Sequence, residues 1–229
     1  MPNGSDSDAR LHEAMDGVAA LDVKPEWPNI GNGRAEARIR LLYRTARLVL
    51  GDHEILAVIR NVSRTGVNIR TFGAIELPTY MQIELANGTL LPIKKEWQNE
   101  TGCGASFRSP IDVELFLTQT MPGKIRRPLR VNLDYGATLK DDLGRRPALI
   151  RNIGIGGAMI ELEDAIAPSG APQLVVKSLG SRPLSVKWSA DTCFGVQFDA
   201  PFAFAELAEW VTGLTRHAMA GAPASDSDD

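Results

Sequence analysis

Asn61-Val62-Ser63-Arg64-Thr65-Gly66 is led in by Ile59-Arg60 and followed by Val67-Asn68-Ile69. Two short apolar, β-branched runs flank a polar hexapeptide that ends in glycine. This order reads as strand, tight turn, strand. Asn61 and Ser63 carry groups that bond nearby backbone or a ligand. Gly66 can take a positive φ or admit the close approach of another group. Taken alone, the stretch is an ordinary β-turn.

A second copy changes its meaning. Ile150-Arg151-Asn152-Ile153-Gly154-Ile155-Gly156-Gly157 again opens with Ile-Arg-Asn, 91 residues downstream (Asn61 to Asn152). Trp97 maps to Trp188, Gly104 to Gly195 and Phe107 to Phe198 at the same offset, and the pair Arg34 and Arg38 maps to Arg126 and Arg130 at 92. Landmarks in one order at nearly one spacing mark an internal duplication, and two copies of this period indicate tandem domains rather than a solenoid. The chain's 229 residues accommodate two domains of about 100 residues each.

Outward from the turns, six short runs per copy read as strands. In the first they are Thr45–Leu50, Ile55–Asn61, Gly66–Arg70, Tyr80–Ala86, Thr89–Trp97 and Cys103–Phe107. In the second they are Arg130–Leu139, Pro147–Asn152, Gly157–Leu162, Gln173–Ser178, Leu184–Trp188 and Phe194–Phe198. Gly51-Asp52 marks a turn, Asn87-Gly88 is a two-residue hairpin signal, and Leu179-Gly180-Ser181 takes the equivalent hairpin position. The pattern predicts a mainly β protein with two tandem six-stranded antiparallel barrels and short flanking helices. One helix is expected over Ile111–Met121. The other is expected over Phe204–Met219, where Leu207, Trp210, Val211 and Leu214 form an apolar face for a barrel or a partner, its own barrel being the plainer reading. Expected boundaries are a mobile leader over 1–33, domains over 34–121 and 122–219, and an acidic disordered tail over 220–229.

Composition narrows the function. A formal net charge of −3 disfavours binding to a nucleic-acid polymer, which needs a continuous basic track. No run approaches a membrane span, and the first residues lack the basic-then-apolar order of a signal peptide, so the expected location is the cytoplasm without membrane insertion. Cys103 and Cys193 sit at nearly the same place beside the shared glycine and lack metal-ligand spacing. The histidines at 12, 53 and 217 are scattered, and no nucleophile–base set, zinc-binding helix motif or phosphate loop is present, so no enzyme and no cofactor are expected. Trp97 and Trp188 end matching strands and read as core or rim packing, with stacking on a ligand base as the alternative.

Two features recur together in each copy. An Arg-x-x-x-Arg arm precedes the first strand, and an Asn-led turn joins the second and third. Barrel closure can bring one beside the other. Guanidinium forks address phosphate oxygens and the Hoogsteen edge of guanine, and the turn adds directional amide and hydroxyl bonds. The set suits a compact anionic guanine nucleotide. The plainer reading of the arginines is a solvated linker.

With these residues in view, the chain resembles the PilZ domain, the bacterial cyclic di-GMP receptor family. That family's signature is Arg-x-x-x-Arg followed by (Asp/Asn)-x-Ser-x-x-Gly in a six-stranded barrel. The first copy fills every position with Arg34, Arg38, Asn61, Ser63 and Gly66. The second carries Arg126, Arg127, Arg130, Asn152 and Gly157, with Gly154 where the serine would stand. The resemblance spans residues 34 to 200. It implies an arm that wraps over cyclic di-GMP, Asn and Ser contacts to guanine or ribose, a glycine that allows close approach, and signalling to an unidentified downstream protein without catalysis. Arg40 and Arg44 also form an Arg-x-x-x-Arg pair and stand in reserve for the first arm. The missing hydroxyl at Gly154 points to weaker or absent binding in the second copy, with a scaffold or docking role there. The competing reading is an interaction module of the same fold that has lost its ligand.

Overall fold

A computed structural model describes residues 39–85, 88–118 and 128–221. The expected leader, the arm residues Arg34, Arg38, Arg126 and Arg127, and residues 222–229 of the tail lie outside them.

The first copy runs β1 (Ile39–Leu50), β2 (His53–Val62), β3 (Gly66–Arg70), β4 (Tyr80–Leu85), β5 (Leu90–Asn99), β6 (Gly102–Phe107) and α1 (Val113–Thr118). The second runs β7 (Val131–Asp141), β8 (Gly144–Gly154), β9 (Gly157–Leu162), β10 (Gln173–Val176), β11 (Gly180–Ala190), β12 (Cys193–Phe198) and α2 (Phe204–Gly221). Each set of six strands closes into an antiparallel barrel, in the orders β1-β2-β3-β6-β5-β4 and β7-β8-β9-β12-β11-β10. The two orders are the same path, as the duplication requires.

Alternation places the interior. In β3 only Val67 and Ile69 are buried, and in β4 Met81, Ile83 and Leu85 alternate with Tyr80, Gln82 and Glu84. This is the period of a strand with one face in the core. Several strands run further than expected: β1 starts at Ile39 rather than Thr45, and β11 spans Gly180–Ala190 rather than 184–188. In β11 pairing continues through the exposed Ser181, Pro183, Ser189 and Ala190, ends that apolar composition does not report.

The turns divide. Gly51, at φ +65°, and Asp52 link Leu50 directly to His53 as expected. At the β4–β5 hairpin the Gly88 N–H donates to the Leu85 carbonyl at 2.8 Å, and the Leu85 N–H to that of Thr89 at 2.9 Å. Gly88 holds the positive φ of +77° in a connection longer than two residues, and Asn87 lies outside the described residues. Between β10 and β11 the reversal falls upstream of Leu179-Gly180-Ser181. Val176 already pairs with Gly180, and Ser178 (φ +74°) and Gly180 (φ +77°) supply the left-handed positions.

β2 breaks the alternation. All five residues from Ile55 to Ile59 are buried. Ile55, Ala57 and Ile59 fill the barrel, so Leu56 and Val58 point outward and need a second cover. That cover is α2. Its Thr215 hydroxyl donates to the Glu54 carbonyl at 3.2 Å, Phe204 meets Phe72 edge-on at 5.6 Å between ring centroids, and Arg216 reaches the Ala74 carbonyl at 3.3 Å. α2 also packs on its own barrel, where Trp210 meets Tyr135 at 5.0 Å and Arg182 pairs with Glu206 at 3.1 Å. The expectation that this helix serves its own barrel is therefore corrected: it is shared between both, because the outer face of β2 offers it a second apolar surface. Polar contacts extend the junction. Glu54 accepts from Arg47 at 2.7 Å and from Asn132 N–H and Nδ2 at 2.7 and 2.9 Å, and Arg47 donates to the Arg130 carbonyl at 3.1 Å.

Candidate functional site

The turn from Asn61 to Gly66 is closed by Ser63. The Ser63 N–H donates to the Gly66 carbonyl at 2.8 Å, and the Gly66 N–H donates to Ser63 Oγ at 3.1 Å. Gly66 does not use a positive φ. It is required by approach, since a Cβ there would lie 3.0 Å from the Ala105 carbonyl of β6. Gly157 meets the same constraint, since a Cβ would overlap the Val196 carbonyl of β12.

Both turn tips are clamped from below in the same way. Phe107 and Ile111 donate backbone N–H groups to the carbonyls of Thr65 and Arg64 at 2.9 and 2.8 Å. Phe198 and Phe202 do so to Gly156 and Ile155 at 3.0 and 2.9 Å. The glycine-rich second turn thus shares this clamp, without the Ser63 hydroxyl bond of the first.

Asn61 pairs with Arg40 on β1 and with Asn68 on β3. Because Val67 and Ile69 point inward, Asn68 and its partner Asn61 face out. Arg44 instead pairs with Ile59, a wholly buried residue, and so lies on the other face from Asn61. This places the reserve arginine Arg44 away from the Asn61 face. Ile39 pairs with Val62 as Val131 pairs with Ile153. In the sequence, Arg38 directly precedes Ile39 and Arg130 directly precedes Val131. A bulge follows in each copy, with three residues between Arg40 and Arg44 and two between Asn132 and Tyr135. That extra residue is where the offset changes from 92 to 91.

In the second copy the arm meets the turn. Arg130 Nη1 donates to Asn152 Oδ1 at 3.1 Å, and burial lowers the guanidinium pKa below its usual value. The same copy shows why glycine replaces serine. A Cβ on Gly154 would lie 2.6 Å from the Leu129 carbonyl and 3.1 Å from Arg130 Cγ. The arm backbone lies directly on Gly154, where a serine side chain has no room.

Trp97 and Trp188 are rim residues, 47% and 45% exposed. Each pairs across the sheet with the shared glycine, Gly104 or Gly195, and a Cβ on either glycine would overlap the indole. Two landmarks of the repeat are thus one contact, a ring laid over a glycine on the next strand. The row Asn61, Asn68, Gly104 with Trp97 becomes Asn152, Met159, Gly195 with Trp188 in the second copy. Asn68 was not singled out from sequence, although its place two residues after Gly66 on a five-residue strand carried the signal. The cysteines are not equivalent. Cys103 pairs with Ile69 and is buried, at the position Phe194 holds opposite Ile160, while Cys193 is only half-buried. Burial pushes the Cys103 thiol up to about 11 against the lowering pull of Lys95.

Among the described residues no cluster of three or more His, Cys, Asp or Glu is arranged to hold a metal ion, and no helix is long and apolar enough to cross a membrane. What the surface offers is amides, guanidinium groups and an exposed indole.

No family model matches the sequence, and no curated protein matches it. Among solved structures, the chain is similar to the Borreliella burgdorferi PlzA protein in complex with c-di-GMP, at 15% identity and a TM-score of 0.32, covering 76% of this chain and 93% of that one. It is similar to the MrkH–c-di-GMP complex of K. pneumonia at 14% identity and a TM-score of 0.31, covering 78% and 90%. It is also similar to YcgR in complex with c-di-GMP from Escherichia coli at 10% identity and a TM-score of 0.32, covering 77% and 86%.

Proposed function

We propose that the chain is a tandem PilZ-type receptor for cyclic di-GMP, not an enzyme, which reports the second messenger to a downstream protein in the cytoplasm. The first copy is the sensor, through Arg34, Arg38, Asn61, Ser63 and Gly66. The observation that carries this reading is the contact between Arg130 and Asn152, because it brings the last arm arginine to the Asn-led turn in one copy. Arg38 directly precedes Ile39 in the sequence, and Ile39 pairs with Val62 as Val131 pairs with Ile153, a likeness of register that supports the same role for Arg38 in the first copy. A planar guanidinium beside an outward amide suits a phosphate-bearing guanine nucleotide better than a polymer, given the net charge of −3. For the second copy the interaction-module reading is favoured by the seating of Leu129 on Gly154, which fills the place of the motif hydroxyl.

Calorimetric titration of the full chain with cyclic di-GMP, with GMP as control, tests the reading. Arg38→Ala is expected to lose about tenfold or more in affinity, as for a charge-assisted bond, with Arg38→Lys between it and the unmodified chain. No binding by the unmodified chain refutes the receptor reading. Normal binding by Arg38→Ala together with loss in Arg44→Ala refutes the arm assignment.

A further inference from the structure

The two copies place the same arginine in opposite electrical surroundings. Arg60 and Arg151 each precede the motif asparagine. In the second copy Arg151 is engaged on both sides. Its Nη1 pairs with Asp134 Oδ1 at 2.6 Å, and its Nε with Glu161 Oε2 at 2.6 Å. Donating these hydrogen bonds, to Asp134 first and then to Glu161, holds its pKa above the ordinary arginine value.

In the first copy both acids are gone. The register that matches Ile69 to Ile160 puts Arg70 where Glu161 stands. β1 and β3, the strands flanking β2, contain no aspartate or glutamate. The carboxylate of β2, Glu54, is taken up by Arg47 and Asn132. Arg64 occupies the turn position that Ile155 holds in the second copy. Arg60 and Arg64 are exposed, and among the described residues neither they nor Arg70 forms an ion pair. Arg70 leans over the Phe72 ring at 5.0 Å. Arg60, Arg64 and Arg70 thus stand near Asn61 and Asn68 in the chain with no carboxylate paired to them among the described residues, whereas in the second copy the counterpart of Arg60 is held by two carboxylates and Arg130 bonds Asn152. Like charges on neighbouring strands raise the free energy of the empty face, and a bound anion relieves it.

We infer that Arg60 is an anion-binding residue of the first copy, contacting a phosphate of the nucleotide beside Asn61, and that the carboxylate pair on Arg151 withdraws its counterpart from that role. This deepens the receptor reading above and rests on it. Arg70 acts as a positioning residue. Because it is not a carboxylate, it leaves Arg60 without an ion-pair partner among the described residues and available to the ligand.

The test titrates the full chain with cyclic di-GMP at one salt concentration and compares Arg60→Ala, Arg70→Gln, Arg70→Glu and the double variant Arg60→Ala/Arg70→Glu. Arg60→Ala is expected to weaken binding about tenfold. Arg70→Glu rebuilds the acid that Glu161 supplies, so it captures Arg60 and weakens binding at least as much, whereas Arg70→Gln, which captures nothing, loses less. Because both changes act through one guanidinium, the double variant binds no worse than the weaker single variant. Unchanged thermal unfolding of Arg60→Ala separates a ligand contact from a folding defect. If the unmodified chain binds and Arg60→Ala binds equally well, or if the two losses add, this inference is overturned while the receptor reading stands. If the unmodified chain does not bind, the receptor reading falls and takes this inference with it.

Discussion

Leu56→Ala tests whether the barrels are joined through β2. Leu56 is 1% exposed, although its neighbours Ile55 and Ala57 occupy the barrel interior and alternation turns Leu56 outward. Its burial comes from the second copy, through α2 seated on β2 by the bond from Thr215 to Glu54 and the Phe72–Phe204 contact. Removing the isobutyl group loses about 2.4 kcal/mol of transfer free energy, at about 0.8 kcal/mol for each of three carbons. The cavity left under a helix pinned at both ends adds to this. The expected loss is about 2–5 kcal/mol, the range of buried leucine truncations. The internal control is Pro147, which holds the same place in the second copy and is exposed, so Pro147→Ala should change stability by no more than about 0.5 kcal/mol. Equilibrium urea unfolding, followed by tryptophan fluorescence and near-ultraviolet dichroism, reads both. A Leu56→Ala loss below about 0.5 kcal/mol refutes the argument. So does an equal loss in a chain truncated before Phe204, where the cover has already been removed.

Four further outcomes follow from the same contacts. Gly104→Ala forces the Trp97 indole off its strand and should cost about 1–3 kcal/mol by urea unfolding, with a shift in tryptophan emission. Gly154→Ser completes the second motif on paper but drives its Cβ against Leu129, so stability should fall by about 1–3 kcal/mol with no gain in cyclic di-GMP affinity; a tighter, equally stable variant would contradict the packing. Glu54→Gln leaves Arg47 with Glu84, bonded at 2.6 Å, but weakens the junction to Asn132 and should cost about 1–3 kcal/mol of stability; no change would show that the junction does not depend on this carboxylate. Of the two thiols, half-buried Cys193 should react with Ellman's reagent in the folded chain. Cys103, fully buried with its pKa pushed to about 11, should react only on unfolding, at pH 7 and at pH 9 alike, because both lie below that value.

Periodicity and repetition made much of the architecture legible in the chain itself. Alternation in Gly66–Arg70 and Tyr80–Leu85, the 91-residue offset and the turn residues are local properties, and they specify twelve strands in two equivalent barrels without reference to tertiary contacts. The candidate residues of the first turn, Asn61, Ser63 and Gly66, were legible for the same reason. Tertiary structure alone decided the role of each glycine: Gly66 and Gly157 answer to a carbonyl on the facing strand, and Gly154 to the arm above it. It also decided that Trp97 and Gly104 are one contact, and that the run Ile55–Ile59 is buried on both faces because α2 of the other copy lies over it. The electrical contrast between Arg60 and Arg151 belongs here as well. Both residues read identically as Ile-Arg-Asn, and the difference arises from what the neighbouring strands place beside them, Arg70 in one barrel, Glu161 and Asp134 in the other. Local sequence sets backbone preference and side-chain period, but the partner of an outward side chain is set by which strand or helix closes against it, and that is determined only when the sheet and the junction have formed.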